Sequence, residues 1–299
     1  MNILSIKDVV KTYESKIAVN HVTFDIPEGI IYGMLGPNGA GKTSLIRIIT
    51  TITRPDSGEI LFNNERLNEN HTSFIGYMPE ERGLYKKMKV GEQLVYLAQL
   101  KGMSHKDAKS TIDGWFEKFD IKDWYNKKIM DLSKGMQQKV QFIATVMHRP
   151  KLIILDEPFS GLDPINANLI EDEILNLKKM GTSIIFSTHR MEQVEEICDR
   201  IVLINQGKNV LEGDVKEIKN TYKENLYNIN FVGEIGDDLE KFGEIKEKTD
   251  QNVTMKCESP QKANDLLRWM IQNGALITSF NEILPTINNI FIRKVEGKI

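Results

Sequence analysis

Residues 30–49 read IIYGMLGPNGAGKTSLIRII: a β-type apolar run, a glycine-rich turn, and then apolar residues at helical spacing. The turn, Gly36 to Thr43, fits the pattern GxxxxGK[ST] and lies between a strand and a helix, the context the pattern requires. Glycines let successive backbone N–H groups converge on phosphate oxygens, and the helix beginning near Lys42 adds the positive end of its dipole. Lys42 is placed to reach the outer phosphates and the Thr43 hydroxyl to ligate Mg²⁺. Gly36, Pro37, Asn38, Gly39, Ala40, Gly41, Lys42, Thr43 and Ser44 are therefore the candidate phosphate-binding residues.

Outward from this segment, Leu152–Leu155 form a second apolar run that ends in Asp156 and Glu157. Four apolar residues followed by two carboxylates describe a core parallel strand that opens at its carboxyl end, where α/β sheets bind ligands. A strand ending in Asp-Glu is commonplace by itself. Beside a phosphate cradle it becomes a metal and base pair, Asp156 for Mg²⁺ and Glu157 to orient and deprotonate water.

The rest of the chain sorts around these two segments. Short β-type runs (LSIKDVV, HVTFDI, GEILFN) with turn signals at Pro27-Glu28-Gly29 and Pro55-Asp56-Ser57-Gly58 fill the region to about Glu65. After the strand FIGYMP, residues 90–128 read as helices, with Leu94, Leu97 and Leu100 and then Ile112, Trp115, Phe116 and Phe119 at three and four spacing. From Lys151 strand and helix alternate again, with a helix from about Asn166, the strand TSIIFST, a helix from Met191 and the strand RIVLINQG, a parallel α/β pattern. Past the hairpin-like GKNVLEG and a short helix after Asp214, a fresh β pattern begins at TYKENLYNINF, which places a boundary near Thr221. The expected division is an α/β domain over 1–220, with a helical subdomain at about 86–140, and a small α+β domain over 221–299 built on strands near 226–232 and 253–257, a helix 260–273, the strand ALITSF and a last helix after Pro285.

Composition narrows the function classes. The 299 residues are 40% hydrophobic, enough to bury a core in each of two domains. A formal net charge of -3 carries no footprint for nucleic acid. Cys198 and Cys257 are far apart and form neither a CxxC nor a Cys/His pair, so they read as small core residues. The amino terminus alternates like a strand and lacks a signal-peptide pattern. No apolar run approaches the roughly 18–20 residues that span a bilayer, so a cytoplasmic chain is expected and a partner must supply any membrane part.

Between the two nucleotide segments stands LSKGMQQKV, Leu132 to Val140, and with it the chain resembles the ABC transporter ATPase family. Tyr13, GPNGAGKT, YMPE at Tyr77–Glu80, LSKGMQ, LIILDEP, SGLD at Ser160–Asp163 and His189 occur in the family's order. The resemblance covers nearly the whole first domain. It implies a P-loop fold of the ABC type, with a mixed sheet core, an antiparallel β subdomain and a helical subdomain, and a head-to-tail pair of copies or paralogues that sandwiches ATP and Mg²⁺. By the same resemblance Tyr13 stacks on adenine, Glu157 is the base, and His189 contacts the γ-phosphate and steadies Glu157. Ser133, Lys134, Gly135 and Asp163 serve the nucleotide of the other subunit, while Thr43, Asp156 and Glu80 form the metal set. The family also implies an integral membrane permease partner, with this chain peripheral on the inner face of the membrane.

Two residues depart from the family pattern. Glu80 stands where the family has Gln; either it ligates a hard cation or it is solvated with water completing the metal shell. Lys134 and Met136 replace Gly and Gln of the signature, and Lys134 either adds positive charge near the trans phosphate or faces solvent. PEERGLY, Pro79–Tyr85, and the appended α+β domain are similar to the ATPases of ABC-2 type exporters, which makes export of an ion, peptide or drug the expected work. GLYKKMKV is a docking surface or a plain solvated face. The alternative is a soluble ABC-type ATPase acting on ribosomes or DNA, whose usual paired ATPase units, coiled coils or basic extensions are not seen in the sequence.

Overall fold

The strands flanking the glycine-rich turn are buried on both faces. β3 (Ile31–Leu35), β7 (Leu152–Asp156) and β8 (Ser183–Thr188) expose none of their residues, which explains their continuous apolar runs. The computed structural model describes residues 1–14, 16–81, 83–235 and 238–297. Arg82, inside the expected PEERGLY motif, lies outside the described residues.

Contacts divide the chain between Asp214 and Val215. In the first unit, β1 (Asn2–Tyr13) and β2 (Lys16–Pro27) lead into β3, α1 (Lys42–Ile49), β4 (Ser57–Phe62), β5 (Glu65–Arg66) and β6 (Ile75–Met78). Helices α2 (Val90–Leu100), α3 (His105–Lys118) and α4 (Lys134–Val146) follow, then β7, α5 (Pro164–Lys179), β8, α6 (Met191–Ile197), β9 (Arg200–Asn205) and β10 (Lys208–Asp214). β6, β7, β8, β3 and β9 are neighbours in a parallel array, and β10 closes one edge antiparallel to β9. β2, β1, β4 and β5 form a separate antiparallel sheet. Its two longest strands exceed the alternating runs visible in the sequence, because register shifts at Ile6/Val9 and Val9/Lys11 interrupt the period of two.

The core of this unit runs from Leu4, Ile6 and Phe24 through Tyr32 and Met34 to Leu45, Ile49, Ile154 and Val202. α1 thus packs its Leu45, Ile46, Ile48 and Ile49 stripe inward and carries Lys42 at the opposite end, toward the strand tips. α5 begins at Pro164, ahead of the expected Asn166, because Asp163 caps it and proline suits the first helical position. α4 runs on to Val146, past residue 140.

The second unit starts with α7 (Val215–Thr221), before the expected boundary near 221. The short helix expected after Asp214 is α7, and it groups with the second unit although the change of period visible in the sequence comes only at β11 (Leu226–Val232). β12 (Gly243–Lys248), β13 (Asn252–Cys257), α8 (Pro260–Gln272), β14 (Leu276–Ile283) and α9 (Ile287–Val295) complete it. The sheet order is β12-β13-β11-β14, all antiparallel. Tyr227, Ile229, Phe231, Val253 and Met255 meet Ala263, Leu266 and Met270 of α8 in its core. β12 was not legible: GEIKEK is an edge strand whose charges protect it from further pairing. Cys198 and Cys257 are free and buried.

Candidate functional site

The turn Gly36–Gly41 is shaped by positions that only glycine fills. Gly36 (φ +149°) would set a Cβ 2.1 Å from the Ile204 carbonyl oxygen, and Gly41 (φ +112°), which precedes α1, would set one 2.2 Å from that of Ala18. Ala40 N–H donates to Pro37 O at 3.1 Å, and Gly207 N–H donates to Ala40 O at 2.8 Å, so the loop is braced by main chain. Lys42 Nζ donates to Gly36 O at 2.7 Å and to Pro37 O at 3.2 Å, which places the ammonium across the mouth of the turn.

A cavity of about 430 Å³ opens over this turn, lined by Tyr13, Lys16, Ala18, Asn38–Ser44, Glu80, Asp156 and Glu157. A larger one, about 750 Å³, lies away from these groups, between the end of α1 and β4. It is lined by Arg54, Arg66 and Glu69 among others, and none of the candidate residues borders it. The smaller cavity therefore gathers the cradle, the aromatic and three carboxylates, although they lie far apart in sequence. Gly36 and Pro37 are not among the lining residues, and their carbonyls accept from Lys42 Nζ.

The parallel pairing of β7 with β8 brings the acidic strand end to its partners, with Asp156 opposite Ser187. Ser187 Oγ donates to Asp156 Oδ1 at 2.8 Å. Thr188 Oγ1 donates to Glu157 Oε2 at 3.0 Å, and His189 N–H donates to Glu157 Oε1 at 2.8 Å. The His189 ring closes on the same oxygen through Nδ1 at 2.6 Å. Both oxygens of a nearly buried carboxylate are thus held by the strand next door. His189 is exposed and is not among the residues lining the cavity.

The charges oppose burial. Lys42 is pulled below the usual lysine range by burial, with Glu157, Asp156 and Glu80 acting against that shift. Burial raises Asp156, the Ser187 hydrogen bond works against it, and Glu157 and Glu80 push it further up. Tyr77 is pushed up to about 12, chiefly by burial. A buried carboxyl held above its usual range, as Asp156 is, favours a cation beside it. The oxygens of Thr43, Asp156 and Glu80 on one cavity suit a hard ion such as Mg²⁺, which takes one or two carboxylates and completes its shell with phosphate and water.

Ser133, Lys134, Gly135 and Asp163 lie outside this cavity. Ser133 caps α4, its Oγ accepting from Met136 N–H at 3.3 Å, and Asp163 caps α5, its Oδ1 accepting from Asn166 N–H at 3.0 Å. The two caps are neighbours, since a Cβ on Gly135 would touch Leu162 at 3.5 Å. Ser133, Lys134 and Asp163 are exposed. Residues that sequence reasoning missed are Gln138 and Gln141, buried on α4 and bonded to Pro158 O and Pro79 O. Their signal was a polar i, i+3 pair on the apolar face of a helix.

Residues 19–160 match the family model described as ABC transporter, and residues 213–295 match that of the ATP-binding protein DrrA1-3-like, C-terminal domain. The chain is 42% identical over 298 residues to "Uncharacterized ABC transporter ATP-binding protein YhaQ" of Bacillus subtilis (strain 168), covering 98% of both. It is 30% identical over 301 residues to "Bacitracin transport ATP-binding protein BcrA" of Enterococcus faecalis, covering 99% of this chain and 97% of the relative. A solved structure, "Structure of ATP binding subunit of ABC transporter", superposes with a TM-score of 0.69 at 29% identity over 74% of this chain and 93% of that one.

Proposed function

The chain belongs to the ABC transporter ATP-binding protein family, and from that premise we propose that it drives a membrane exporter as one half of a head-to-tail ATPase dimer. The observation that carries the reading is the placement of Lys42, Asp156 and Glu157 on one cavity, with Glu157 clamped by Thr188 and His189. Among the described residues no helix is long and apolar enough to cross a membrane; in this reading a permease partner supplies the membrane path, a reading supported by the likeness to transporter ATP-binding proteins.

Each residue has a task in phosphoryl transfer to water. Backbone N–H groups of Asn38–Ser44 and the start of α1 hold the phosphates. Lys42 balances charge on the outer ones. Thr43 and Asp156, with Glu80 on the same cavity, would hold Mg²⁺, which would supply charge neutralisation at phosphate oxygens. Glu157 takes the proton of the attacking water, and His189 keeps its carboxylate aimed. Tyr13, partly exposed at the cavity rim, offers a face for adenine.

The exposed caps at Ser133 and Asp163, set apart from the chain's own cavity, support their use on the nucleotide of a second copy. Export rests on the match of residues 213–295 and on the likeness to a bacitracin transport protein. Copurification of the tagged full chain from its native membrane fraction is the test. A multi-spanning partner is the expected result; recovery with ribosomes or DNA alone would overturn the transporter reading and leave the ATPase site intact.

A further inference from the structure

Two neighbouring strand ends in the first unit are attached to the same helix in the same way. β6 ends at Met78 and continues Pro79-Glu80; β7 ends at Asp156 and continues Glu157-Pro158. The strands pair in parallel with Met78 opposite Leu155. Gln141 Nε2 donates to Pro79 O at 2.8 Å and Gln138 Nε2 donates to Pro158 O at 2.9 Å. Residues three apart on a helix stand about 5–6 Å from each other, close to the ~4.8 Å between adjacent strands. One turn of α4 therefore spans both strand ends.

The chemistry of each bond is narrow. Proline has no N–H, so its carbonyl is the only main-chain hydrogen-bonding group at either position. A carbonyl only accepts, which forces each glutamine to present its amide nitrogen. Gln141 then leaves Oε1 buried with no hydrogen-bond partner. An apolar side chain would fill that part of the core at less cost. Each held proline is bonded in sequence to a carboxylate residue lining the cavity, Glu80 in one case and Glu157 in the other.

We infer that Gln138 and Gln141 are positioning residues for ATP hydrolysis, which set Glu157 and Glu80 against the cavity from the helix that Ser133 caps. The inference rests on the catalytic reading above. The cradle itself is braced by Pro37, Gly207 and its own lysine rather than by α4. Loss of either glutamine should therefore spare nucleotide binding and reduce turnover.

The test is steady-state hydrolysis of MgATP by the full chain, with binding of a non-hydrolysable ATP analogue and thermal melting measured alongside. Gln141→Met and Gln138→Met should each lower kcat on the order of 10- to 100-fold, the penalty of a small misplacement, with KM and analogue affinity within about twofold. If Gln141→Met does not fold, Gln141→Asn keeps the amide but falls a methylene short of Pro79 O, and it too should lose turnover. Either variant, folded and with a parental kcat, overturns the inference, as does a matched loss of affinity and kcat. A parent chain that hydrolyses no ATP would overturn the catalytic reading and this inference together; a normal parent with unaffected variants overturns the inference alone.

Discussion

The two units treat clustered polar side chains in opposite ways, the second holding a largely half-buried set and the first a buried one. In the second, Asn228, Asn230, Asn252, Thr254 and Ser279 on one sheet face bond to one another, for example Asn228 Nδ2 to Thr254 Oγ1 and Asn230 Nδ2 to Ser279 Oγ, each at 2.8 Å. In the first, Lys42, Asp156 and Glu157 are buried together, and burial shifts Lys42 and Asp156 toward their neutral forms. Among the described residues, the buried side-chain atoms with no hydrogen-bond partner also fall in the first unit, on Gln93, Gln141, His148, Arg200 and Asn209. A satisfied polar ladder only stabilises. Poorly compensated charge destabilises, and at a strand end lined by a phosphate cradle that cost accompanies chemistry.

The contrast breaks most visibly at Glu157. Glu157→Gln should keep ATP binding and lose about 10²- to 10⁴-fold in kcat, the usual worth of a positioned base; a normal rate in a single-turnover assay would remove its assigned role. Lys42→Ala comes next, with nucleotide affinity largely lost in a binding titration. Unchanged affinity would break the link between the buried lysine and the cradle.

His148 sharpens the contrast through pH. Burial, with Lys101 nearby, lowers its pKa from 6.5 to about 4, partly offset by the Ile75 carbonyl. The folded chain thus holds the ring neutral where the unfolded chain takes up a proton. Its contribution is complete above pH 6.5 and is lost as the pH falls through about 4. His148→Leu should flatten the stability curve across that window by a few kcal/mol, read by denaturant titration at several pH values.

Asp156 has the opposite sign. Its pKa is raised in the folded chain, so the ionised form is penalised at neutral pH and the penalty is relieved as the pH falls toward the raised value. Asp156→Asn, which keeps an acceptor for Ser187, should melt a few degrees higher than the parent at neutral pH, by about 2–4 °C per kcal/mol relieved. The gap should close on acidification, and calorimetry across pH would expose a constant gap as a different cause. The smallest effect belongs to the ladder: Asn252→Ala should cost the second unit about 1 kcal/mol, and a much larger loss would show that its polar face carries more than local bonds.

Much of the site was legible because local chemistry requires particular residues in a row. Gly36 and Gly41 reflect backbone positions closed to any Cβ, and the run Leu152–Asp156 reflects a strand buried on both faces. β12 was not legible, since an exposed edge strand shows little apolar alternation; α7 was legible as a helix after Asp214 but not as part of the second unit, because that grouping comes from contacts and not from a local signal. The glutamines of α4 were readable as polar residues on an apolar face, but their partners lie 20 and 62 residues away in sequence.

By itself the sequence determined the strand–turn–helix cradle, the acidic strand and the family order of motifs, because each depends on neighbours in the chain or on likeness to known chains. Only the tertiary structure decided that Tyr13, Lys42, Glu80 and Glu157 share one cavity, that His189 and Thr188 clamp Glu157, and that α4 holds two strand ends at once. Those are long-range contacts set by strand order and helix docking, where hydrogen bonds form only after the sheet has put distant carbonyls and carboxylates within about 3 Å of their donors.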